Sequence, residues 1–380
     1  MYFYKSKKFG FSSVPDNLPN RGEVFVDHSK TGRGGHLGHA MVEYAPNCIL
    51  CFYANCNDGC AFGDEENDFT GHSARGWTEY KRSTDGGKTW SEGKVFEYSK
   101  NLYDTKAGVA SFCEKAVLAD DGAIVVFNLL SDIRRDCMWE PYLMPTAMRS
   151  TDGGESWEKP VTVCRKNARI FDVIKYNGKI YALAEELENK VFYEAIPLGY
   201  FLYVSEDNGK SFSLLSKLPL TLAKDYLYGT MEILNDGGLI VYTYTPDKEN
   251  YMRYVISYDG GKSWTDAKIS RFEKQLRNPQ MIKFKDTFFM FGRSGIYGAD
   301  EEKGQNVLYC SEDGINWDNG RYICLKEVGF TTAYYSNVIK IGTFGDEKDE
   351  KLLYQYSMAY HRSLTNVMHR LITAEELKNV

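Results

Sequence analysis

No run in this 380-residue chain approaches the roughly 18 consecutive apolar residues that a membrane-crossing helix requires, so no membrane span is expected. The first residues, Met1 to Tyr4 followed by Lys5, Lys7 and Lys8, carry charge without the apolar stretch that should follow in a secretory signal. A cytoplasmic location is the expectation. Basic excess is missing too: 46 Lys and Arg stand against 52 Asp and Glu, a formal charge of −6. Nucleic acid is bound by basic stripes that neutralise phosphates, and this composition excludes it as a partner. With 43% hydrophobic and 26% charged residues the chain also lacks the signature of disorder. The 9 cysteines are odd in number, which points to reduced thiols rather than a disulfide framework. Cys48, Cys51, Cys56 and Cys60 lie close together, but Cys48 and Cys51 flank a strand-like run. Their odd offset puts the two thiols on opposite faces, poor geometry for one zinc ion. No metal and no cofactor is expected. Histidine is scarce, with 6 in all, yet two of them fall within Gly35-His36-Leu37-Gly38-His39-Ala40.

What the chain has in abundance is a repeat. The segment Ser83-Thr84-Asp85-Gly86-Gly87-Lys88-Thr89-Trp90 returns at Ser150 to Trp157, Ser205 to Phe212 and Ser257 to Trp264, and one residue shorter at Ser311 to Trp317. Successive starts are 67, 55, 52 and 54 residues apart. The pattern Ser-x-Asp-x-Gly-x-x-Trp is the Asp-box, whose physics is local. Asp accepts backbone N–H groups in a tight turn, Gly supplies the positive φ, and Trp folds back between strands. Between the boxes, apolar runs meet at Asp121-Gly122, Asn177-Gly178 and Asp236-Gly237, and around Lys285-Asp286, which read as hairpin turns. Each unit is thus an inner hairpin, a third strand entering the box and an outer fourth strand: one propeller blade.

Inner strands near His39, Glu114, Asp172, Met231, Gln280 and Ser336 give an all-β, six-bladed propeller spanning residues 1–380 as one domain. The last blade has no box, and Glu23-Val24-Phe25-Val26 is the expected ring-closing strand. Seven blades is the alternative count, but it demands about 54 residues per blade and conflicts with the longest interval. Trp90, Trp157 and Trp264 are expected to staple blades far from the central funnel. A fully packed Trp157 ring would cost ~3–5 kcal/mol on truncation to alanine.

Asp-boxes on a six-bladed propeller resemble the sialidase (neuraminidase) superfamily over essentially the whole chain. The resemblance implies three arginines that hold a substrate carboxylate, a tyrosine nucleophile paired with glutamate, and an aspartate acid/base. Tyr335-Ser336-Asn337-Val338 is similar to the family's Tyr-Ser-x-Leu at the last inner strand, which implies Tyr335 as nucleophile, with Tyr334 the alternative. Arg277, in Arg277-Asn278-Pro279-Gln280, matches one of the arginines. Elsewhere the chain departs from the family. His36 and His39 stand where the first arginine belongs, Tyr228 where the glutamate belongs, and Tyr244 where the second arginine belongs. The histidine segment is loosely similar to propeller enzymes of acidic polysaccharides, the ulvan lyases and the enzymes that cleave rhamnosyl-glucuronate linkages.

Residues at inner-strand entrances face a propeller's funnel, where side chains from different blades converge. His36 and His39 are candidate acid/base groups, because imidazole titrates near neutrality. They and His72 lack a carboxylate or cysteine at ligand spacing, which argues against a metal. Glu114 and Asp172 are further acid/base candidates, and Arg277, Arg293 and Arg169 suit bidentate capture of a carboxylate. Lys115, Tyr228, Tyr244, Tyr334 and Trp77 complete the expected binding set, Trp77 as a sugar-stacking platform on a loop over the funnel. Glu232 and Gln280 belong to the same entrances, and Glu185 and Glu186 to the end of a second strand. Three readings follow: a glycoside hydrolase acting on an acidic (sialic or uronic) glycan, a lyase eliminating next to a uronate, and a non-catalytic sugar-binding propeller.

Overall fold

The computed structural model describes residues 22–58, 73–105, 108–134, 139, 141–189, 195–220, 228–244, 250–293, 306–324, 335–361 and 364–378. They form six four-stranded antiparallel sheets. The inner strands are Met41–Ala45, Val109–Leu118, Ala168–Tyr176, Gly229–Ile233, Arg277–Phe284 and Ser336–Ile341. Each lies beside the inner strands of both neighbouring blades, so the six make a closed ring about a central channel. Five blades run from the inner to the outer strand in chain order. The sixth takes Ser336–Ile341, Lys351–His361 and Leu364–Thr373 from the C-terminal part and Glu23–Val26 as its outer strand. In that last pair Glu23 faces His369 and Val24 faces Met368. Ring closure packs each blade face against a neighbour, which an open array would leave bare at its two ends, and leaves only short outer strands as sheet edges. The fold is a six-bladed β-propeller, and the six-blade reading holds over seven.

The boxes fold as their chemistry dictates. Asp85 Oδ1 accepts the amides of Lys88 and Thr89 at 3.0 and 2.9 Å, Oδ2 accepts the Thr89 hydroxyl at 2.6 Å, and Ser83 Oγ accepts the Gly87 amide at 2.9 Å. The same Asp-centred turn recurs at Asp152, Asp207, Asp259 and Asp313. Gly86 and Gly87 sit at φ +73° and +83°, the left-handed region that a side chain would strain. Each box aromatic bridges to the preceding blade. Trp90 meets Phe25 at 5.0 Å between centroids, Trp157 meets Phe96 at 5.3 Å, and Phe212 meets Phe127 at 5.5 Å. Trp264 donates to Ser216 Oγ at 2.9 Å and Trp317 to the Tyr242 hydroxyl at 3.2 Å. All four tryptophans are half-buried rather than fully packed, which lowers the cost of truncating Trp157 below the fully buried range.

Between the blades, apolar inward faces make the core. Tyr242, Tyr244, Met252, Val255, Met290 and Tyr309 belong to one cluster that spans the third, fourth and fifth blades. Cys51, Cys56, Cys113 and Cys164 are buried among such side chains, and burial pushes the Cys51 and Cys164 thiols up. Cys48 and Cys51 are on one strand with different burial, and Cys60 lies outside the described residues.

Candidate functional site

The funnel mouth depends on β-bulges at the inner-strand entrances. In the second blade Cys113 faces Asn128 but Lys115 already faces Phe127, so Glu114 is an extra residue. The bulge lets two consecutive side chains, Glu114 and Lys115, both reach the axis, which a regular alternating strand forbids. Phe171 is the extra residue between Ile170 and Asp172, and between Arg277 and Gln280 the pair Asn278-Pro279 stands opposite the single residue Gly292, again one extra. Proline is tolerated there because a bulge needs no ladder donor. Asn278 takes φ +51°, and its Oδ1 accepts from Arg293 Nε at 2.7 Å.

These entrances enclose a recess of about 380 Å³, part of it open to solvent, lined by Leu37 to His39, Glu114, Lys115, Arg169, Phe171, Tyr228, Asn278, Gln280 and Tyr335 to Asn337. Arg169 is nearly fully buried and reaches three blades. Its Nη2 donates to Glu114 Oε2 at 2.8 Å, and its Nη1 to the Tyr142 and Tyr228 hydroxyls at 3.1 and 2.5 Å. Burial, the largest single effect, works against its charge, but Glu114 together with the Tyr142 and Tyr228 phenols outweighs it and holds the guanidinium well above its ordinary value. The other oxygen of Glu114, Oε1, is buried with no hydrogen-bond partner among the described residues.

Tyr335 stands at the centre. Arg293 lies over its ring at 4.3 Å and donates from Nη2 to its hydroxyl at 3.2 Å. Burial alone would raise the phenol; Arg293, Arg277 and Arg169, in that order, with a hydrogen bond from Tyr228, pull it down, and the net displacement is downward. Arg277 faces Arg293 across their strand pair and its Nη2 comes to 3.5 Å from the Tyr244 hydroxyl. Tyr244 stacks on Tyr228 at 6.3 Å and 18°, and Tyr228 is 5.9 Å from Tyr335 between centroids. Three arginines and three tyrosines from the third to sixth blades therefore converge. Arg293 is pulled below its ordinary value by burial, and its hydrogen bonds go to an amide and a phenol.

The two histidines are inward but different. His39 lines the recess, its Nδ1 3.2 Å from Gln355 Nε2, and burial lowers it to about 4, so the imidazole is neutral near pH 7. His36 is fully buried against Trp139 at 4.5 Å and Tyr335 at 5.8 Å. Asp172 and Lys115 pair with each other at 3.0 Å; Lys115 lines the recess, whereas Asp172 lines the chamber toward the opposite mouth. Both oxygens of Asp172 are taken up: Oδ1 also accepts the Val173 amide, and Oδ2 accepts Thr230 Oγ1 and the Met231 amide. Glu186 accepts from the Tyr203 hydroxyl, and Glu232 accepts the Ile233 and Lys283 amides toward the opposite mouth. Trp77 is not among the recess residues. Arg33 and Lys100 lie over its indole at 4.7 and 4.4 Å, and its Nε1 donates to Glu79 at 3.0 Å. Tyr334 and His72 lie outside the described residues.

Tyr142, Asn278, Asn337 and Gln355 were not legible as site residues. Tyr142 sits outside the named strands, on an isolated bridge to Ser131, and no motif marks it. Asn278 directly follows Arg277 and Asn337 stands two residues past Tyr335, and the Asn-Pro dipeptide is the sequence signal for a bulge.

The BNR/Asp-box repeat profile matches residues 81–92 and 148–159. No curated protein matches the chain significantly in sequence. Among solved structures, a Dyadobacter fermentans protein of unknown function is 16% identical with a TM-score of 0.68, covering 92% of this chain and 96% of that one. A Hadza microbial sialidase is 14% identical with a TM-score of 0.64, covering 93% and 68%. The NanB sialidase of Streptococcus pneumoniae is 11% identical with a TM-score of 0.61, covering 98% and 73%. At such identities the likeness carries the fold, and chemistry must be argued from the site. Boxes, ring closure and neighbours agree: the chain carries BNR/Asp-box repeats on a six-bladed propeller fold similar to that of the sialidases.

Proposed function

We propose that this protein is a glycoside hydrolase acting on an acidic glycan, with Tyr335 as nucleophile and Glu114 as acid/base. The observation that carries the reading is Tyr335 held among Arg169, Arg277 and Arg293 with its phenol displaced toward the ionised form. The phenolate oxygen attacks the anomeric carbon, and the bond to the leaving oxygen breaks as Glu114 gives that oxygen its proton. Water then attacks the same carbon, Glu114 takes its proton back, and Tyr335 is released. Glu114 is placed for this role, which it enters as the neutral acid, because Oε1 lines the recess with no hydrogen-bond partner among the described residues while Oε2 lies on Arg169. An anionic sugar fits because Arg169, Arg277 and Arg293 converge on Tyr335, and guanidiniums at such a site suit a ligand carboxylate.

A second reading, β-elimination next to a uronate, is favoured by one feature: the hydroxyl beside Tyr335 is Tyr228, a phenol rather than a carboxylate. Tyr335 would then remove the proton next to the carboxyl group, and the arginines would hold the enolate-like charge. Incubation with a panel of sialylated and uronate-containing glycans separates the readings. Reducing sugar without new absorbance at roughly 235 nm supports hydrolysis, and both rising together supports elimination. Binding without either product, in wild type and Tyr335→Phe alike, would sink both and leave a sugar-binding propeller.

A further inference from the structure

Lys115, Gln280 and Asn337 stand between the two cavities along the propeller axis, and the Lys115 ammonium joins them. Lys115 borders the recess on one side and the chamber toward the opposite mouth on the other. An ammonium has three N–H donors, and three acceptors meet them: Asp172 Oδ1 at 3.0 Å, Gln280 Oε1 at 2.5 Å and Asn337 Oδ1 at 2.9 Å. Those acceptors belong to the third, fifth and sixth blades, and Lys115 to the second. The network then reaches the other two. Asp172 Oδ2 accepts from Thr230 Oγ1 at 2.8 Å in the fourth blade, and Asn337 Nδ2 donates to the His39 carbonyl at 2.9 Å in the first. Thr230 Oγ1 also accepts the Met281 amide at 2.8 Å, tying the fourth blade to the fifth.

The order of residues along each strand gives the network its meaning. Glu114 precedes Lys115, Arg169 precedes Asp172, Tyr228 precedes Thr230, Arg277 precedes Gln280 and Tyr335 precedes Asn337, each by one to three positions. Every inner strand that brings a tyrosine, arginine or glutamate to the funnel is therefore pinned just below it. Because the lysine's donors are all engaged within the protein, it has none left to offer a ligand.

We propose that Lys115 is a positioning residue: by joining four inner strands at one point it sets Tyr335 against Arg169 and Tyr228, and it does not contact the substrate. This rests on Tyr335 being the reacting group. A misplacement of about 1 Å at a reacting centre is worth roughly 10²-fold in rate, so loss of the hub should be felt in turnover.

The test uses Lys115→Met, with the double variant Lys115→Met/Asp172→Asn alongside, because the single change strands a buried carboxylate and can prevent folding. The Tyr335 phenol is followed by absorbance at about 295 nm against pH, using Tyr335→Phe to subtract the other tyrosines. In a folded variant the hub predicts that this titration moves up toward the usual tyrosine range, and that kcat falls by roughly 10²-fold with KM little changed. An unmoved titration, or a rise in KM with kcat unchanged, would overturn it, the second by making Lys115 a substrate ligand. The titration needs no substrate. If wild type turns over no glycan at all, the glycosidase reading fails while the hub is still decided by the phenol.

Discussion

The two ends of this propeller obey different rules. At the Asp-box end one turn is built five times, and its defining hydrogen bonds join residues two to four positions apart. At the funnel end no two blades present the same side chains, and the contacts that matter cross the chain. Arg169 reaches Glu114 over 55 positions, and Lys115 reaches Asn337 over 222. Repetition marks what each blade needs in order to fold, and departure from repetition marks what the molecule does with the fold. The difference is also electrostatic. Box carboxylates are held ionised by hydroxyl and amide donors at the surface, whereas the funnel gathers buried guanidiniums around a phenol.

If the contrast is right, substitutions at the funnel should cost activity and leave stability, and substitutions at the boxes should do the reverse. The largest effect is expected at Tyr335. Tyr335→Phe should lower turnover about 10²–10⁴-fold with an unchanged circular dichroism spectrum and melting temperature. Next comes Glu114→Gln, with a loss of roughly 10²-fold on an ordinary glycoside. That loss should largely vanish on an aryl glycoside with a good leaving group, because such a group needs no proton. Equal losses on both substrates would remove Glu114 from the acid role. Trp157→Ala should leave kcat and KM intact and destabilise by about 2 kcal/mol, read as a lowered urea midpoint, in keeping with a half-buried ring.

The smallest effect is a pH dependence at the boxes. The Thr89 hydroxyl, the Thr89 amide and Ser83 hold the Asp85 carboxyl down at about 2. A depressed folded-state value gives stability that is fully present above the unfolded value near 3.9 and is lost as pH falls through about 2. Asp85→Asn should therefore unfold at lower urea than wild type at neutral pH, with the gap narrowing as pH drops from about 4 to about 2. A gap independent of pH would mean that the turn does not favour the charged carboxylate.

The same contrast explains what could be read from the chain. Asp-boxes and Asn-Gly or Asp-Gly turns announce themselves because their causes lie within a few residues, so the six blades were legible. Tyr335 and Arg277 were legible through motif likeness, and Glu114, Arg169 and His39 through their place at strand entrances. The bulges were not. A regular period-two reading sends Glu114 and Lys115 to opposite faces, and only the extra residue opposite Asn128 and Phe127 turns both inward. Nor did the sequence separate Lys115 and Asp172, which brace each other, from Glu114 and Arg169, which edge the open recess. Trp77, expected on a loop over the funnel, lies on the strand Gly76–Ser83 with Arg33 and Lys100 over its ring. Which cation meets which ring is decided by residues far apart in the chain, and no local pattern records it.

The central claim is that Arg169, Arg277 and Arg293 hold Tyr335 ready to ionise. It is tested most directly by titrating wild type and Tyr335→Phe in parallel, following tyrosinate absorbance at about 295 nm. The account predicts that wild type contains one phenol ionising below the usual value near 10, and that Tyr335→Phe lacks it. Superimposable curves below the onset of bulk tyrosine ionisation would contradict it.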